Sequence, residues 1–73
     1  MSAISFSEAK KLVLARLQQV MKSLPASERS RPRYIIDFKP YSVLDMINMV
    51  TRDDPKIRTY VYDQVKQLGY VVT

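Results

Sequence analysis

The segment DDPKIRTYVYDQVKQLG, residues 53–69, carries its own start and its own stop, so whatever this chain folds into must be built around one amphipathic helix near its end. Asp54 stands where a helix N-cap belongs, and Pro55 occupies the first helical position, where its missing N–H costs nothing. The adjacent carboxylates of Asp53 and Asp54 suit the positive end of the helix dipole. Ile57, Val61, Val65 and Leu68 recur every three to four residues and define an inward stripe, with Tyr60 on its flank. Gly69 suits the left-handed position that ends helices, and Tyr70, Val71 and Val72 then predict a terminal strand.

The same signals recur upstream. Ser5 and Glu8 match a capping box, and Ala9, Val13, Leu17, Val20 and Leu24 keep one side of a helix apolar, widened by Leu14 and Met21. Lys10, Lys11, Arg16, Gln18, Gln19 and Lys22 cover the rest, and Pro25 disfavours helical geometry at Leu24, which predicts a helix over 6–24. The first few residues are expected to fray. Residues 25–33, PASERSRPR, lack an apolar period and predict a basic surface loop. YIIDF, residues 34–38, is β-branched and aromatic and predicts a strand with Tyr34, Ile36 and Phe38 on one face, closed by Pro40. Ser42 and Asp45 repeat the capping pattern ahead of Val43, Leu44, Met46, Ile47, Met49 and Val50, a short helix over 43–51 that is apolar almost all round.

At 73 residues the chain makes one domain with a small core, and a self-association or a partner contact would add to its stability. With no cysteine it has neither a disulfide framework nor a thiolate metal site. Without histidine as well, catalysis would fall on carboxylates, lysine or hydroxyls, and the carboxylate spacings are accounted for by capping. One glycine excludes a glycine-rich phosphate loop. The expectation is therefore a protein that is not an enzyme and uses no cofactor and no metal. The apolar run LVLA, residues 12–15, is far too short to cross a bilayer, so no membrane partner and a cytoplasmic location are expected. The net charge of +5 favours polyanionic partners, and it is uneven: residues 1–24 carry +3, 25–40 carry +2, 41–54 carry −2 and 55–73 carry +2.

The order helix, strand, helix, helix, strand predicts an α+β fold that is mainly helical. Helix 6–24, strand YIIDF, the tight helix pair 43–51 and 55–68 and the LGYVV ending together resemble a winged helix-turn-helix DNA-binding domain. The resemblance covers nearly the whole chain and lies in pattern; the family's β-hairpin wing, which follows the second helix of the pair, has no counterpart within residues 1–73. It implies a three-helix core with a two-stranded sheet, double-stranded DNA as partner, a regulatory or accessory role, and helix 55–68 as the element laid on DNA.

On that implication Lys56, Arg58, Thr59 and Tyr62, which lie off the apolar stripe, make the base-edge contacts, with Arg58 suited to guanine. Lys56, Lys66 and the loop arginines Arg29, Arg31 and Arg33 neutralise phosphate, whereas Asp63 would repel it. The rival expectation is a protein–protein interaction module, an adaptor or inhibitor, with Met46, Met49, Tyr41, Tyr60 and Tyr62 as contact residues. A homodimer is compatible with both.

Overall fold

The first two helix starts marked in the sequence are made by the side chains expected to make them, whereas Asp54 caps a 3-10 turn and the third helix starts three residues later than expected. The computed structural model describes residues 2–73. In α1 (Phe6–Ser23) the Glu8 N–H donates to Ser5 Oγ at 3.1 Å while the Ser5 N–H donates back to Glu8 Oε1 at 3.3 Å. In α2 (Val43–Thr51) Ser42 and Asp45 make the same reciprocal pair, at 3.1 and 3.0 Å. The Lys56 N–H donates to Asp54 Oδ1 at 3.0 Å, and the segment behind it opens as a single 3-10 turn, Pro55–Ile57, before becoming α3 (Arg58–Gln67). Leu24 is extended ahead of Pro25, and Gly69, at φ 93°, ends α3.

The three helices enclose the core. Ala9, Val13 and Leu17 from α1, Val43, Met46, Met49 and Val50 from α2, and Ile57, Val61 and Val65 from the α3 segment are all buried. α2, apolar almost all round in sequence, buries Val43, Met46, Met49 and Val50 and leaves Leu44 at 38% exposure on its outer side. One expectation about packing needs correction: Leu68 is 42% exposed because α3 ends at Gln67 and leaves it in the C-cap, beyond the last regular turn.

Among the described residues four strands form two separate pairs, where the sequence suggested two strands. The predicted strand 34–38 is a hairpin: β2 (Tyr34–Ile36) turns through Asp37 and Phe38, at φ 51° and 66°, into antiparallel β3 (Lys39–Tyr41). Positive φ at both central residues is the geometry that matches the twist of a two-residue hairpin. Phe38 therefore stands at the tip, fully exposed, and does not share a face with Tyr34 and Ile36. Pro40 lies inside β3, opposite Ile35; the pair beside such a turn is hydrogen-bonded and the next one is not, so Pro40 gives up no ladder bond. Against the expected fraying, residues 2–4 are ordered as a strand: β1 (Ser2–Ile4) pairs in parallel with β4 (Tyr70–Val72), and the Thr73 N–H adds a bond to the Ile4 carbonyl at 2.9 Å. Strands 34–36 and 70–72 thus each pair with a strand the sequence did not announce, and not with each other. Among the described residues no helix is long and apolar enough to cross a membrane.

Candidate nucleic-acid interface

Arg58, Tyr62 and Lys66 follow one another at intervals of four, so α3 sets them in a row along one flank. The start of α1 lies against that row. The Phe6 ring meets the Tyr62 ring at 5.4 Å between centroids, and the Arg58 guanidinium and the Lys10 ammonium stand 5.2 and 5.5 Å from the Phe6 centroid. Such distances are within cation–π range, and both cations keep a solvent-facing side. Further along, Lys66 and Tyr62 form the rim of a shallow hollow of about 200 Å³ completed by Tyr70, Val71 and Val72 of β4. Three cations and two aromatic rings in tilted contact, at 45° between planes, thus share one surface ridge built from two helices.

Asp53 holds the ridge together. Its Oδ1 is 3.7 Å from Lys10 Nζ and its Oδ2 is 3.6 Å from an Arg58 guanidinium nitrogen. Asp53 occupies the first position past the α2 C-cap at φ 55°, and the turn is a Schellman motif: the Asp54 N–H donates to the Met49 carbonyl at 3.0 Å and the Asp53 N–H to the Val50 carbonyl at 3.2 Å. That position is usually glycine or asparagine. Here the left-handed residue also carries the carboxylate that lies between α1 and α3, and its Oδ1 is buried without a hydrogen-bond partner. Beside it the Asp54 carboxyl is held below its usual range, first by the Lys56 N–H and then by the Arg52 guanidinium at 2.9 Å.

The other expected site residues are not on this ridge. Lys56 and Thr59 line a separate groove of about 340 Å³ between α3 and the hairpin, where Asp37 and Asp63 add two carboxylates to the same lining. Of the loop arginines, Arg29 is turned inward: its Nε donates to the Met21 carbonyl at 2.8 Å and to the Leu24 carbonyl at 3.3 Å, so it caps α1 and is committed to the fold. An arginine a few residues past a helix end finds unsatisfied carbonyls there, and that need outcompetes a distant phosphate. Arg31 pairs with Glu28 at 3.6 Å and stays largely exposed, and Arg33 is exposed with its N–H on the Tyr41 carbonyl. Met46 and Met49, expected as contact residues of the rival reading, are sealed in the core.

Sequence reasoning missed Phe6, Lys10, Asp53 and Tyr70 as members of the site. Phe6 and Lys10 are one turn apart at the start of α1, and that spacing was the available signal for them; the link from Asp53 to both helices exists only once the helices pack. Compared with protein families, with characterised proteins and with solved structures, the chain shows no significant match to any.

Proposed function

We propose that this protein is a small non-enzymatic nucleic-acid-binding module, regulatory or accessory in role, that meets duplex DNA along the Phe6–Lys10–Arg58–Tyr62–Lys66 ridge. The observation that supports the reading is the convergence of Lys10, Arg58 and Lys66 with the Phe6–Tyr62 ring pair on one exposed face of a chain whose net charge is +5. Cations on such a face displace condensed counterions from the phosphate backbone, and aromatic rings between them give sugars and bases a surface to pack on. Asp53 keeps Lys10 and Arg58 pointed into the same patch in the free protein, a positional role that phosphate oxygens take over in the complex. Lys56 and Thr59, beside Asp37 and Asp63, are left as flanking residues.

Amide chemical-shift mapping with a short DNA duplex at low salt tests the reading. Shifts are expected at residues 6–10 and 58–66, and shifts confined to the hairpin, or none at all, would refute it.

A protein partner is the second reading, favoured by one observation: the hairpin presents Ile35 at 78% and Phe38 at 101% exposure, an apolar tip that solvation alone does not account for. On that reading Ile35→Ser and Phe38→Ser abolish capture of the partner and leave DNA affinity unchanged.

A further inference from the structure

On the flank of α3 away from the ridge, a cleft of about 260 Å³ opens between α1, β2 and α3. Its lining includes the buried core residues Val13 and Leu17, the partly buried Val20, and Tyr34 and Tyr60, whose rings are 6.0 Å apart and set at 88°. Arg16 and Gln64 complete it, and no carboxylate lines it. Among the described residues Arg16 makes no ion pair, and none of Arg16, Gln64 and the two phenol hydroxyls makes a side-chain hydrogen bond. This separates it from the groove at Lys56, whose lining includes the carboxylates of Asp37 and Asp63.

We propose that this cleft binds a small planar aromatic anion, a single six-membered ring bearing a carboxylate or phosphate group, with the ring against Tyr34 and Tyr60 and the anion on Arg16. Size sets the limit on the ring: a cavity of about 150 Å³ accommodates benzene, so the remaining space suits one anionic substituent. An apolar floor with a few convergent polar groups is the usual make-up of a small-ligand site. Tyr60, like any phenol at neutral pH, keeps its proton and is available as a hydrogen-bond donor, and burial first, then the neighbouring Tyr34 phenol, pushes its hydroxyl further up to about 12. The guanidinium supplies a fork that matches a carboxylate or phosphate edge. The site is independent of the DNA-binding ridge.

The same chemistry has two sources, an aromatic carboxylate and an aryl phosphate, and an amide-shift titration of the whole chain with benzoate, phenyl phosphate, cyclohexanecarboxylate and inorganic phosphate separates them. Saturable shifts at Arg16, Val20, Tyr34, Tyr60 and Gln64 are expected from benzoate or phenyl phosphate in the millimolar range, and the tighter of the two identifies the source. Arg16→Gln, a change at an exposed position, should weaken that binding about tenfold while leaving the amide spectrum otherwise unchanged, the scale of one hydrogen bond to a charged group. The proposal is overturned if neither aromatic anion shifts these amides, if cyclohexanecarboxylate or phosphate alone binds as well, or if Arg16→Gln binds as tightly as the unaltered protein.

Discussion

Replacing Asp53 by asparagine removes one charge from the centre of the ridge and leaves the backbone in place, because asparagine tolerates the left-handed conformation that Asp53 holds at φ 55°. The lost ion pairs run to Lys10 and Arg58 at 3.7 and 3.6 Å, and with Arg58 52% exposed each is a surface pair worth about 0–1 kcal/mol. The buried, unpartnered Oδ1 becomes part of a neutral amide, which lowers its desolvation cost and offsets part of that loss. Stability should therefore fall by no more than about 1 kcal/mol, or about 4–8 °C in Tm for a domain of this size. DNA affinity should rise. A phosphate seated on Arg58 stands roughly 7 Å from the Asp53 carboxylate, where like charges repel by about 0.6 kcal/mol in water, a factor of about three in affinity. The slope of affinity against salt should stay the same, since the number of cations does not change. Fluorescence anisotropy with a labelled duplex, run beside a thermal melt, reads both quantities. Weaker binding by a variant that melts within the stated range would refute the reasoning, because the hold of Asp53 on Lys10 and Arg58 would then outweigh its repulsion of phosphate.

The remaining predictions concern the frame that holds the ridge. Ser42→Ala removes an N-cap that is only 4% exposed and should cost about 1 kcal/mol by urea unfolding; an unchanged midpoint would mean the capping box contributes nothing. Phe38→Gly relieves a left-handed aromatic at φ 66° that buries no surface, and should raise the urea midpoint by the equivalent of about 0.5–1 kcal/mol, whereas a fall would show the ring to be packed. The Asp54 carboxyl is depressed in the folded state, so its contribution is present above its unfolded value and is lost as pH falls through the folded one. Asp54→Asn should accordingly flatten the loss of stability below about pH 4, and an unaltered acid profile would contradict the hydrogen bonding at that cap.

What could be foreseen from the residues followed from local chemistry. Ser5 with Glu8, Ser42 with Asp45, and Asp54 with Pro55 each mark a helix start through groups within four positions, and Pro25 and Gly69 mark two ends in the same way. The α+β, mainly helical class followed from these signals and the apolar stripes between them. Features set by distant partners stayed hidden. Ser2–Ile4 becomes a strand only because Tyr70–Val72 lies beside it, and Asp37–Phe38 lacks the asparagine or glycine that usually announces a hairpin turn. Arg29 looked like a free loop cation because the Met21 and Leu24 carbonyls it caps come within its reach only when the loop folds back. The ridge was half visible, in Arg58, Tyr62 and Lys66, for the same reason: Phe6 and Lys10 come from the far end of the chain and reach α3 only through packing.

The salt dependence of duplex affinity tests the ridge most directly. Three cations on phosphate imply a slope of about −2.7 in log affinity against log salt, hence a loss of about 40-fold between about 50 and about 200 mM salt. With Arg58→Gln the slope should drop to about −1.8 and the loss to about 12-fold. No binding at the lower salt, or the same slope in Arg58→Gln and Lys66→Gln as in the unaltered protein, would contradict the assignment of this face to DNA.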